Sequence, residues 1–524
     1  MAISLKNEQV WLTVPGGEHS AQAVVEGALA LDGELERIVD LGIEPVVENV
    51  QVEEGKVTVR GSLNVDLLYQ PTGGWGGLAL VAKSWQRCLP FEQELEVSDA
   101  HEGMKATVQL SASGSRHEGL GRELDLSAMV AIEVSLFEQK KIALATDALS
   151  IPPGQLSLEK RIINFTVPLD QIKEQSRVDG ILILPPERGD LAEIIQGSAE
   201  VRATDLALNW NEQVAEISGI MDLAFLYYTP APEGVPPQLG SVDLRGVLPF
   251  QLAVNIPALG DRARGKVKLT VENFQLIPQS PREVAVNLNL AVKLDLYEQR
   301  KTRVLTDLVS KGEFGVAQRK EAICHQVLVG ENGGQFSVQG GLILPAGELP
   351  IAQVLRLVPF IGSQEVRMVE DKVVVEAQVG FDLLYLVDDA AAESPFRTVT
   401  WDDALRLEQM VSINSAKENM TPHCQLELAD LQWDLLDPSS MRVRLSGKVQ
   451  AQVTQREEIE PVVEATDVTQ LTEDISMVYY IVQPGDTPWK VASHYGQTVD
   501  ALLSSNGEVD FAPGSHLLIL NGVG

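Results

Sequence analysis

The chain is poor in cysteine, aromatic residues and positive charge, and each shortage closes off a class of function. Three cysteines, Cys88, Cys324 and Cys424, are odd in number and far apart. They cannot form a disulfide scaffold and fit reduced, buried structural thiols. Two of them adjoin histidines, as Cys324–His325 and His423–Cys424. Neighbours in a strand point to opposite faces, so each pair offers one ligand per side and no metal site is expected. No CxxC, HExxH, GxSxG or GxxxxGK[ST] occurs, and the seven histidines are scattered, so neither an enzyme nor a cofactor is expected. Basic residues number 41 against 74 acidic ones, a net charge of −33. Such a surface repels phosphate backbones and anionic membranes, which argues against nucleic acid as a partner. The charge serves solubility, or it steers the protein toward a basic partner. No apolar run reaches the ~18–20 residues of a membrane span. The opening "MAISLKNEQVWLTVP" has no basic segment followed by an apolar one, which predicts no secretory signal and a cytoplasmic location.

What the chain has is repetition. "VTVRGSLNVDLLYQ" (57–70) alternates apolar and polar residues with the period of a strand that has one face on a core. The same alternation returns in "AEISGIMDLAFLYYT" (215–229) and "VVVEAQVGFDLLYLV" (373–387), placing Tyr69, Tyr227 and Tyr385 at a spacing of 158 residues. "ILILPPERGDLAEII" (181–195) returns as "GLILPAGELPIAQVL" (341–355), and Thr–Asp pairs stand at 146–147, 306–307 and 466–467. The first copy lacks the ILP segment, for which "GELERIVDL" (33–41) is the substitute. Three units follow, over 1–147, 155–307 and 316–467, each of about 150 residues and large enough for its own core. Repeated alternating strands with Gly and Pro turns between them predict a mainly β protein of three tandem β-sandwich-like repeats or open barrels. One helical turn is expected at each of 188–195 and 348–356. The Thr–Asp pairs read as turn or capping groups, with functional carboxylates as the alternative. The tyrosines read as core or interface packing, with ligand stacking as the alternative.

The tail changes character. Over 477–521 the pattern is strand, helix, helix, strand. Thr487 suits an N-cap and Pro488 the first helical position. Pro488, Val491, Ala492 and Tyr495 form one apolar stripe, and Gly496 ends the helix. Thr498 caps a second helix that "NG" stops at 506–507. Trp489 falls off the stripe. It either packs on a strand edge or a neighbouring domain, or it contacts a partner.

The run "QPGDT", "W-x-x-A-x-x-Y-G", "T-x-x-x-L-L-x-x-N", "PG" and a last apolar strand resembles a LysM domain, a small βααβ fold. That resemblance implies N-acetylglucosamine glycan binding through two loops, carried over to Gly485, Asp486 and Thr487, and to Asn506, Gly507, Glu508 and Val509. The family commonly has Leu where Pro488 stands and Asn–Pro where Asn506–Gly507 stands. The triplicated part, with its LLY strand, ILP segment and "YEQR" strand, resembles the SPOCS domains of spore coat morphogenetic proteins. Several such domains followed by one LysM domain is the layout of SipL-like coat-assembly proteins. The resemblance implies a non-catalytic scaffold of the mother-cell cytoplasm at the forespore surface. Its LysM domain would dock the ATPase of the coat basement, or as the alternative bind peptidoglycan.

Overall fold

A computed structural model describes the chain except for residues 1, 74–78, 152–154, 233–234, 236, 261, 311–314, 389–393, 469–475, 508 and 522–524. The protein is mainly β, with two short helices near its C-terminus among the described residues. Six strands fill the first 151 residues: β1 (Ala2–Ala30), β2 (Leu35–Glu53), β3 (Lys56–Pro71), β4 (Val81–Glu96), β5 (Lys105–Leu120) and β6 (Glu123–Ile151). They form two antiparallel sheets, ordered β1-β6-β5 and β2-β3-β4. The next six are β7 (Leu156–Ile183), β8 (Glu193–Asn209), β9 (Val214–Tyr228), β10 (Leu239–Asn255), β11 (Ala263–Ser280) and β12 (Glu283–Ser310). They repeat the order as β7-β12-β11 and β8-β9-β10.

The third copy comprises β13 (Gly315–Lys320), β14 (Ile323–Ile343), β15 (Gln353–Val369), β16 (Lys372–Leu386), β17 (Phe396–Ser412), β18 (Thr421–Asp437), β19 (Ser440–Ile459) and β20 (Val462–Val468). Its sheets are β14-β19-β18, β15-β16-β17 and the short pair β13-β20. Where the first two copies run one long outer pair, the third breaks it in two. Pro461 sits at the break and has no N–H to give the ladder, whereas the corresponding residues of the other copies, Lys141 and Lys301, do.

Within each copy the alternation does what it promises. Val57, Val59, Leu63, Val65, Leu67 and Tyr69 of β3 are all fully buried, and Tyr227 and Tyr385 match Tyr69 in their own copies. Each such side chain contributes about 1.5–3 kcal/mol by leaving water. The glycine within each of these strands lies under a phenylalanine ring. A Cβ on Gly61, Gly219 or Gly380 would come within 2.6, 2.3 and 2.3 Å of Phe91, Phe250 and Phe360, respectively.

The copies are not separate beads. Leu68, Leu226 and Leu384 each precede the buried tyrosine and therefore point the other way, into one cluster shared by all three copies with Val39, Leu355 and Phe396. The long outer strands also leave their own sandwich. Leu144, Phe165, Val304 and Ile459 meet in a second shared cluster, and Ala145, Leu305 and Val462 in a third. Polar bonds close the circle. Leu80 N donates to Tyr228 Oη at 2.7 Å and Gln353 Nε2 to Leu239 O at 3.1 Å. The buried Ser394 Oγ donates to Gln70 Oε1 at 2.6 Å, and Arg356 pairs with Asp40. Copy one thus meets two, two meets three, and three meets one, in a closed pseudo-threefold ring.

Three sequence expectations need correction. No helical turn forms at 188–195 or 348–356, because the amides there are taken by other segments. Leu191 N donates to Pro281 O at 2.7 Å and Ala192 N to Tyr228 O at 2.8 Å; Ile351 N and Ala352 N do the same to Pro438 O and Leu386 O. The first copy turns the same corner in fewer residues, with Leu31 N on Arg122 O and Leu35 N on Gly121 O. The Thr–Asp pairs lie within strands and not in turns. Thr146 and Thr306 are the extra residues of two β-bulges, and Asp147 and Asp307 accept the next backbone N–H, each at 3.0 Å. Lastly, Cys324 is exposed, while Cys88 and Cys424 are half-buried. Burial pushes the Cys424 thiol up to about 11, which keeps it protonated and inert. His325 points the other way from Cys324 and is 1% exposed, its ring held neutral chiefly by desolvation.

Candidate functional site in the C-terminal module

The tail folds as β21 (Ser476–Ile481), α1 (Pro488–His494), α2 (Val499–Asn506) and β22 (His516–Asn521), with β21 and β22 antiparallel. Val482, Val491, Ala492, Leu502, Leu517 and Ile519 make its core. Both helices start as their caps dictate. Thr487 has extended backbone and its side chain accepts from Lys490 N, and Thr498 does the same for Ala501 N. Gly507 closes α2 with φ of 67°, a conformation that favours glycine, and its N–H reaches Leu503 O at 2.8 Å.

The predicted loop residues fall into two groups. Before α1, Gly485 turns the chain with φ of 88°. Asp486 Oδ2 accepts Tyr480 Oη at 2.6 Å and Gln483 N at 2.8 Å. The Tyr480 hydrogen bond holds the Asp486 carboxyl below its ordinary range. After α2, the Asn506 amide donates to Leu502 O and Leu518 O, both at 2.7 Å, and its oxygen accepts Leu518 N at 2.6 Å. That side chain rivets α2 to β22. Gly507 and Val509 line an open groove of about 620 Å3 with Leu503, Ser504 and Asp510. Glu508 lies outside the described residues. Asp486, Thr487 and Asn506 therefore spend polar atoms on the module's own shape, while Gly507 faces open space and Val509 is half-buried, packed on the core at the groove's edge.

Trp489 does something else. Its indole Nε1 donates to Asp307 Oδ2 at 2.8 Å, and Ser493 Oγ, four residues on, donates to the same oxygen at 2.6 Å. The module is seated on the end of β12 beside a cleft of about 750 Å3, which is also lined by Glu159, Lys160, Lys320 and Lys490. Burial alone would raise the Asp307 carboxyl. Hydrogen bonds from Ser493, Trp489 and Gln318, with the Lys320 charge, outweigh it and hold the group below its ordinary range. Glu159 is raised, first by burial and then by the charge of Asp307. Sequence reasoning missed Asp307 and Ser493 as site residues. The recurrence of the Thr–Asp pair marked the first, and helical spacing from Trp489 could have found the second.

Among the described residues no helix is long and apolar enough to cross a membrane, and no cluster of His, Cys, Asp and Glu is placed to hold a metal ion. Searches of curated proteins and of solved structures gave no significant match. Two protein-family models do match. Residues 480–512 match the LysM domain, from the end of β21 to the loop before β22. Residues 34–113 match the model described as "SipL, SPOCS domain", a stretch running from β2 into β5. The chain carries a SPOCS domain of the SipL kind in its first copy and a LysM domain at its C-terminus.

Proposed function

We propose that this protein is a non-catalytic scaffold of endospore coat assembly, in which the LysM module docks a protein of the coat basement and the three-copy ring is the platform that carries it. The observation behind this is the pairing of a SPOCS and a LysM match in one chain. It is supported by where the module's polar atoms go. The side chains of Asp486, Thr487 and Asn506 are committed to turns and caps, so they are poorly placed to read sugar hydroxyls. Trp489 is of the residue type that anchors protein interfaces, and it already makes such a contact within the chain, on Asp307. On this reading the units over 1–147, 155–307 and 316–467 are SPOCS-like repeats acting in the mother-cell cytoplasm at the forespore surface, and the partner is the basement ATPase. The apolar clusters shared between copies support a single joined platform. The test is capture from sporulating lysate. Trp489→Ala should lose the partner while the ring stays folded, and equal capture by wild type and variant rejects the docking role.

One observation favours a second reading. The open groove beside Gly507 and Val509 has room for a sugar residue, which suits peptidoglycan or another N-acetylglucosamine glycan. Sedimentation with purified peptidoglycan separates the two. Saturable binding that survives Trp489→Ala but not a bulky Ser504→Trp in the groove would favour the glycan.

A further inference from the structure

The joint between module and ring is built on one carboxylate whose two oxygens serve different masters. Asp307 Oδ1 faces the ring: it accepts Leu308 N at 3.0 Å, the Gln318 amide, and Lys320 Nζ at 3.2 Å. Oδ2 faces the module and, among the described residues, accepts its donors, Trp489 Nε1 at 2.8 Å and Ser493 Oγ at 2.6 Å. Trp489 and Ser493 are four residues apart and so share one face of α1.

The first copy supplies a control. Asp147 sits at the same bulge and its Oδ1 likewise accepts the next N–H, from Ala148, and a lysine of the following copy, Lys160 Nζ at 2.8 Å. The ring-facing half of the arrangement is thus a property of the repeat. The Oδ2 half is an addition made where the module lands. Side-chain exposure records the landing: 41% for Asp147 and 9% for Asp307.

We infer that Asp307 is a clamp that parks α1 against the ring, so that the Trp489 face opens to an outside partner only when the clamp lets go. The inference rests on the docking role given to α1 above. It also specifies the partner chemically. Whatever takes Trp489 and Ser493 from Asp307 must offer a carboxylate or comparable acceptor to an indole N–H and a hydroxyl a helical turn apart. An indole N–H facing an apolar partner would lose its acceptor, at a cost that favours the parked state.

The test uses the full chain labelled with ¹⁵N, with Trp489→Phe to assign the Trp489 indole resonance. In the wild type that N–H should exchange slowly with solvent. In Asp307→Asn and Ser493→Ala it should exchange at least about tenfold faster, with the other indoles unchanged. Ser493→Ala leaves every ring-side bond of Asp307 in place, so it separates release of the module from damage to the ring. Asp307→Asn, which leaves both donors of α1 intact, should also capture more of any partner that Trp489→Ala loses. Exchange at the free-indole rate in the wild type overturns the clamp. So does faster exchange in Asp307→Asn with capture unchanged or reduced. If no form of the chain captures a Trp489-dependent partner, the docking role falls, and the clamp is then judged by indole exchange alone.

Discussion

The joints within the ring and the joint of the LysM module are made of different materials. Copies one, two and three meet through apolar clusters to which each contributes, such as Leu68, Leu226 and Leu384 around one centre. The module meets the ring through polar donors converging on a single carboxylate. Apolar joints have no alternative partner but water, and they couple the stability of the units they join. A polar joint exchanges protein donors for water at modest net cost. The ring is therefore expected to behave as one cooperative body, and the module as a part that can leave by itself.

The largest effect should come from the shared centre. Leu226→Ala removes a buried side chain from a cluster that belongs to all three copies and should cost about 2–5 kcal/mol. Chemical denaturation followed by circular dichroism should show one transition moved to lower denaturant for the whole ring. Three transitions with only one displaced would break the comparison, because the copies would then be separate bodies. Next in size is Asp307→Ala. It strands the Trp489 N–H and the Ser493 hydroxyl and should weaken the module's seat by about 1–3 kcal/mol, visible as faster backbone exchange in α1 with β3, β9 and β16 unchanged.

Acid should act on the same joint. Asp307 is held below its usual 3.8, so its contribution is complete above that value and fades as pH falls through the lower, folded one. Lys320, Lys490 and Glu159 face the same cleft, and Glu159 has the opposite sign because burial raises it. Comparison with Asp307→Asn isolates the clamp. The gap in α1 exchange between wild type and variant should be constant from pH 7 to pH 5 and close at lower pH. A gap that closes already near neutrality would assign the effect to another group.

Much of this was written in the sequence, and the parts that were not share a cause. The alternating strands, the buried tyrosines and the capped helices depend on neighbours a few residues away, and local pattern found them. Closure of the ring depends on the opposite face of the same strands. Its trace is the second apolar residue in "LLY", "FLYY" and "LLYL", where alternation fails because both faces are covered. The expected helical turns failed because amides near Leu191 and Ile351 are taken from across the sandwich, a claim no local propensity can register. In the module, Asp486, Thr487 and Asn506 were legible as a motif, but a motif does not say whether a polar atom is turned outward or spent at home. Asp307 was legible as one of three like aspartates, and only the fold brings Trp489 to it across a sequence separation of 182.

The smallest predicted effect tests whether those aspartates differ in kind. Asp147 shares with Asp307 the bulge, the accepted backbone N–H and the lysine of the next copy. Its side chain is 41% exposed, so solvent screens the Lys160 pair and the bond contributes at most about 1 kcal/mol. Asp147→Asn keeps the shape and an acceptor for Ala148 N while discarding the charge. It should shift ring unfolding by less than about 1 kcal/mol and leave α1 exchange unaltered. The same substitution at 307 should leave the ring nearly as stable and release the module. Two identical changes at equivalent bulges would then give different phenotypes, which locates the difference in what the module brings to Oδ2 and not in the repeat. Equal responses at 147 and 307 would mean that the carboxylate serves the bulge alone, and that the seat of the module lies elsewhere on α1.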